Sequence, residues 1–174
     1  SRSFIASTGG SAISADIYQL TTTISSVNDI PEITVSDNAG TSFSLDEDNT
    51  LTFSEAESRL ISVSDADDGA QLTTTLSIAD GSGSINITDI GTATVTGDGS
   101  TSIEIQGDVD EVNAVLASVT YTPTANGNGD GYATLVVTTS DGVDDAQTLN
   151  LTLDVTAVND APTGDSAILS TVVE

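Results

Sequence analysis

Leu151-Thr-Leu-Asp-Val-Thr-Ala-Val-Asn-Asp-Ala-Pro162 alternates apolar and polar residues and then stops at an Asn-Asp pair and a proline. Far upstream, Leu20-Thr-Thr-Thr-Ile-Ser-Ser-Val-Asn-Asp-Ile-Pro31 ends in the same way. Leu20 matches Leu151, Val27 matches Val158, and Asn28, Asp29 and Pro31 match Asn159, Asp160 and Pro162, always at an offset of 131 residues. Strict alternation is the period of a strand with one buried face. A fixed internal period marks tandem modules. The chain therefore reads as one complete module, residues 30–160. Before it stand the tail strand and linker of a preceding module, residues 1–29. After it comes the start of a following one, residues 161–174. An Asn-Asp pair stands at each junction.

Between the junctions, short alternating runs follow one another. Ile33-Thr-Val35 and Ser42-Phe-Ser-Leu45 read as a first strand broken by Asp37-Asn-Ala-Gly40. Leu51 with Phe53, Leu60–Val63, Leu72–Ile78, Ile85–Thr88, Thr92–Thr96 and Ser102–Ile105 continue the pattern. Gly97-Asp-Gly99 is a hairpin signal. Val119–Thr122, closed by Pro123, then Tyr132–Thr139 and Leu149–Val155 complete it. One segment departs from the alternation. Val112, Val115, Leu116 and Val119 fall at helical spacing, and Asp108 with Glu111 forms a capping-box pair. A short helix is expected over 108–118. Residues 13–27 are expected to form one strand of the preceding module. About seven to nine short strands with frequent turns predict an all-β sandwich of immunoglobulin type.

The charge is extreme: two Lys+Arg face 27 Asp+Glu, a formal −25. Nucleic acid and anionic membrane surfaces both call for basic groups and are disfavoured partners. So much charge of one sign opposes the compact state. Either the surface is simply solubilising, or divalent cations neutralise part of it, since Ca²⁺ takes carboxylate, amide and carbonyl oxygens. Cysteine, histidine and methionine are all missing from the sequence. That excludes disulfides, thiolate or imidazole zinc sites, and Cys-His or Ser-His-Asp nucleophile systems. There is no apolar run approaching the ~20 residues of a membrane-spanning helix.

Placement of the acids favours the cation. In a sandwich of alternating strands, the loop Asp65-Ala-Asp67, the loop holding Asp141 and the linker Asn28-Asp29 arrive at one pole. Glu47 arrives at the other, near Asn159-Asp160. Metal candidates are therefore Asn28, Asp29, Asp65, Asp67 and Asp141 at the first pole, and Glu47, Asn159 and Asp160 at the second. Asp108, Asp110 and Glu111 would join the second if the helix started there, but a capping box is the preferred reading of them. Asp144 and Asp145 read as solvated loop charges, and Asn126 to Gly131 as a turn. The twelve-residue spacing of an EF-hand is not met. Catalytic residues are not expected: the acids lie in turns, and few aromatics accompany them.

Glu47, Asp65-Ala-Asp67, Asp141-Gly142 and Val158-Asn-Asp-Ala-Pro162 resemble the calcium sites of cadherin repeats. The run from Ile105-Gln-Gly107 to Ser140-Asp-Gly142, with Val112-Asn-Ala-Val-Leu-Ala-Ser-Val-Thr-Tyr-Thr-Pro123 inside it, resembles more closely the cadherin-like repeats of large bacterial type I secreted adhesins of the RTX class. The resemblance covers residues 30–162. It implies a secreted, non-enzymatic repeat on the bacterial cell surface, a Ca²⁺-stabilised extender in adhesion and biofilm contexts. Its partners would be neighbouring repeats, with host or surface glycans and proteins reached through other domains. No membrane insertion is expected, and the isolated fragment is expected to be a monomer. The alternative is a Ca²⁺-dependent carbohydrate- or peptide-binding module of such an adhesin. An accessory module of a secreted enzyme comes third.

Overall fold

The computed structural model describes residues 25, 27–36, 40–67, 69–80 and 82–162. The strand expected over 13–27 lies outside these, apart from Ser25 and Val27, which belong to no strand. The fold is all-β, with eleven strands and one helix among the described residues. The strands are β1 (Glu32–Val35), β2 (Ser42–Asp46), β3 (Leu51–Thr52), β4 (Ile61–Ser64), β5 (Gln71–Asp80) and β6 (Ser84–Ile87), followed by β7 (Thr94–Thr96) and β8 (Ser102–Asp108). The helix α1 (Val109–Leu116) precedes β9 (Val119–Thr122), β10 (Gly129–Ser140) and β11 (Gln147–Thr156). Eleven strands replace the expected seven to nine because interrupted runs join different sheets. β1 and β2, expected as one broken strand, pair with β4 and β11 respectively.

One layer is a six-stranded sheet in the order β2-β11-β10-β5-β8-β7. The other is assembled from the β1-β4 pair, α1 and the three-stranded β3-β9-β6 sheet. Alternation decides what lies between them. Leu72 and Leu76 of β5, Ile103 and Ile105 of β8, Leu135 and Val137 of β10 and Leu151 and Leu153 of β11 point inward and are almost fully buried. Ile61 and Val63 of β4, Val112, Val115 and Leu116 of α1, and Val119 and Tyr121 of β9 meet them. Each such aliphatic side chain contributes about 1.5–3 kcal/mol on burial. Phe43 of β2 meets Phe53 edge to face, with centroids 5.5 Å apart and planes at 84°, which ties the layers together near the first strands.

Helix α1 forms where the apolar spacing predicted it, two residues shorter at its C-terminal end and one at its start. Asp108 caps it: its side chain accepts from Glu111 N at 2.9 Å, and the Glu111 carboxylate accepts from Asp108 N at 3.0 Å. The helix lies beside β4 because Asn113 completes that strand's edge. Its Oδ1 accepts from Val63 N and its Nδ2 donates to Val63 O, both at 2.8 Å. After β7 the chain reverses at Gly97, whose φ is +82 and whose missing Cβ would strike the Ser102 carbonyl. Glycine alone meets both conditions cheaply. No described helix is long and apolar enough to cross a membrane.

Strand directions place the loops at two poles. The incoming linker, the β4–β5 loop and the β10–β11 loop share the entry pole. The β2–β3 turn, the loop before β10 and the outgoing segment after β11 share the exit pole.

Candidate functional site

At the entry pole the linker is tied to both loops. Asn28, half-buried, donates from Nδ2 to Asp141 Oδ2 at 2.6 Å and to Asp144 Oδ2 at 2.9 Å. Asp29 N donates to Asp67 Oδ2 at 2.8 Å. Asp67 N donates to Asp65 Oδ1, also at 2.8 Å. Residues separated by up to 116 positions are thus brought to one place. Asn28, Asp29, Asp65, Asp67 and Asp141 converge as the sandwich argument required.

Asp144 belongs with them. Its position in an acidic loop reads as solvated charge, nothing in the sequence tells it from Asp145, and both are exposed. The distinguishing fact is the amide of Asn28, which two carboxylates share.

Two carboxyls at this pole stand in different situations. Asp141 accepts from Val143 N at 2.9 Å. That backbone donor, with the Asn28 amide next, holds its pKa below the ordinary carboxylate value. Hydrogen bonds that favour the charged form act in this direction. Asp65 has one bonded oxygen, whereas its Oδ2 is buried and has no hydrogen-bond partner. A buried polar atom without a partner is costly and rare.

Helix α1 starts at the entry pole, not at the exit pole. Asp108, Val109 and Asp110 line a cleft of about 260 Å³ together with Asp65, Asp67, Gly69 and Ala70. Asp108, Asp110 and Glu111 therefore do not join Glu47. The reason is β8, which runs antiparallel to β5 with Asp108 opposite Gln71, so that the helix begins where β5 begins. Asp108 and Glu111 are engaged in the capping box.

At the exit pole Glu47 is buried, with 5% of its surface exposed. Its Oε1 accepts from Val158 N at 2.7 Å and its Oε2 from Asn128 Nδ2 at 2.8 Å. Glu47 thus sits beside the outgoing Val158-Asn159-Asp160 segment, as expected from strand direction. Asn128 had read as part of a plain turn, and its role in holding Glu47 gave no signal in the sequence. Asn159 and Asp160 are exposed. Asn159 Nδ2 donates to Asp160 O at 3.1 Å, and its counterpart Asn28 donates to Asp29 O at 3.2 Å. The repeated Asn-Asp pairs share this side-chain-to-backbone hydrogen bond at both junctions.

Among the described residues no group of three or more carboxylates is close enough to hold a metal ion unaided. A cation shell at the entry pole would need oxygens beyond the carboxylates in place. Comparison with known proteins finds no match. No protein-family profile, curated protein or solved structure aligns with the chain.

Proposed function

We propose that the chain is a structural repeat of a bacterial surface adhesin, a secreted extender whose junctions with neighbouring repeats are rigidified by Ca²⁺. The supporting observation is the entry pole. A linker that recurs at a 131-residue offset is bonded there to two acidic loops. One buried carboxylate oxygen in the cluster lacks a partner.

These residues fit a hard cation. Asp65, Asp67, Asp141 and Asp144 offer carboxylate oxygens; Asn28, whose Nδ2 faces Asp141 and Asp144, would reverse its amide to present Oδ1 to a cation, and Asp29 ties the linker in through its backbone N–H. Bound Ca²⁺ would supply positive charge and six to eight coordination positions. The residues would do the rest: Asn28 and Asp29 bind the linker to the module body, and Asp65 holds a buried oxygen with no other partner. At the exit pole Glu47, Asn159 and Asp160 make up part of a shell, to be completed by the loops of the next repeat. Both poles are acidic, and where the exit pole of one repeat meets the entry pole of the next, like charges would repel. A cation between them turns that repulsion into attachment.

The test is thermal unfolding of the full chain in Ca²⁺ and in excess chelator. A ligand that binds only the folded state stabilises it by about 2.7 kcal/mol at a hundred times its Kd. For a module of this size that corresponds to roughly 10 °C in Tm. An unchanged midpoint defeats the proposal.

A further inference from the structure

We propose that the parallel β2–β11 ladder, closed at its exit end by Glu47, is the element that bears load when the chain is pulled along its axis. The proposal goes beyond the junction reading, since it concerns bonds inside the module and needs no cation. β2 pairs with β11 in register from Ser42 opposite Thr152 to Asp46 opposite Thr156, and this is the only parallel pairing among the described strands. The ladder is extended at both ends. Thr152 N donates to Thr41 O at 2.7 Å, and Glu47 N donates to Thr156 O at 2.8 Å. Two residues beyond Thr156, Val158 N donates to the Glu47 carboxylate. Midway, Ser42 Oγ donates to Asp154 Oδ2 at 3.0 Å.

Direction gives this pairing its mechanical meaning. Tension from the incoming linker draws β2 back toward the entry pole, and tension on the outgoing segment draws β11 toward the exit pole. Parallel neighbours pulled in opposite senses must slide, so their hydrogen bonds are strained together. Bonds opened from one end break singly. Upstream, β1 holds only four residues against β4. Its release frees the short stretch before β2 and leaves Phe43 and Leu45 in the core, where they are 4% and 9% exposed. The core opens only when β2 slides. Glu47 acts at the last point on the path, where a buried acceptor grips the segment that carries the force outward.

The sequence has no cysteine, so introduced pairs define the pulling points. Single-molecule unfolding of the full chain is measured with handles at V27C and A161C, and with handles at T41C and N150C. The first pair pulls along the strands. The second pulls across the entry end of the ladder. Both are measured in Ca²⁺ and in chelator. The axial unfolding force is expected to exceed the lateral one by at least about twofold in either solution, because forced unfolding is governed by the barrier on the path taken. Measured in chelator, Glu47→Ala is expected to lower the axial force by a clearly larger fraction than the lateral force. Equal forces in the two geometries overturn the ladder, and an equal loss in both geometries for Glu47→Ala overturns its lock. An axial advantage that persists with no effect of Ca²⁺ supports the ladder and counts against the cation alone.

Discussion

Two residues at the entry pole and in the core carry opposite lessons about buried oxygen atoms. Asp65 keeps one oxygen buried without a partner. In chelator its charge adds to the repulsion within an acidic cluster, and Asp65→Asn is expected to raise stability by up to about 1 kcal/mol through loss of that charge, the amide keeping an unpartnered atom in the same place. In Ca²⁺ the same substitution is expected to abolish the Ca²⁺-dependent rise in Tm. Denaturant unfolding of both chains in both solutions gives the comparison, and a variant that keeps the full Ca²⁺ increment sinks the role of Asp65. Tyr121 shows the satisfied case. It is fully buried, and its hydroxyl donates to Ser82 O at 2.6 Å. Burial, with Tyr132 adding to it, pushes its pKa from 10.0 up to about 12. The folded value lies above the unfolded one, so the neutral hydroxyl supports folding fully below pH 10. That support is lost as pH rises from 10 to 12, by on the order of 2 kcal/mol. Ultraviolet titration is expected to show one tyrosine ionising near pH 12, and Tyr121→Phe is expected to remove both that transition and this part of the alkaline loss of stability.

The helix shows what an element owes to its neighbours. Its existence was legible: Val112, Val115 and Leu116 set its apolar stripe and Asp108 with Glu111 its start. Its place in the sandwich was not. Asn113 looks like any exposed polar residue of a helix, yet it supplies both hydrogen bonds that Val63 lacks on the open edge of β4. Asn113→Ala strands an N–H and a C=O at a position only 3% exposed. A loss of about 2–3 kcal/mol is expected in urea unfolding, from the cost of orphaned backbone groups. A change within experimental error would mean that water takes over both bonds. The strands divide in the same way. Alternation marked most of them and predicted which residues face inward, because one buried face imposes period 2. Partners were beyond reach, since pairing β2 with β11 rather than with β4 depends on residues more than a hundred positions away. The site followed suit. Loops carrying Asp65, Asp67 and Asp141 could be assigned to a pole from strand direction alone. Asp144 and Asn128 could not, because their membership rests on single side-chain contacts.

Charge belongs to the whole molecule. A formal −25 spread over both poles and the strand surfaces raises the energy of every compact state, and two effects can relieve it. Monovalent salt screens all the charges without distinction, with a Debye length near 10 Å at ~0.1 M. A coordinated Ca²⁺ neutralises a few of them in one place. The two are separable because only the second requires a geometry. In chelator, Tm is expected to rise smoothly with NaCl and to level off as screening saturates. Millimolar Ca²⁺ added at the plateau is expected to raise it again, because coordination by Asp65, Asp67 and Asp141 does not depend on long-range fields. Mg²⁺ at the same concentration is expected to give much less, since it demands a near-ideal octahedron and sheds water reluctantly, whereas this pole offers amide, carboxylate and carbonyl oxygens on loops. Scanning calorimetry across the three salts makes the measurement. If Ca²⁺ and Mg²⁺ act alike and both vanish at high NaCl, the acids serve only as a solubilising coat.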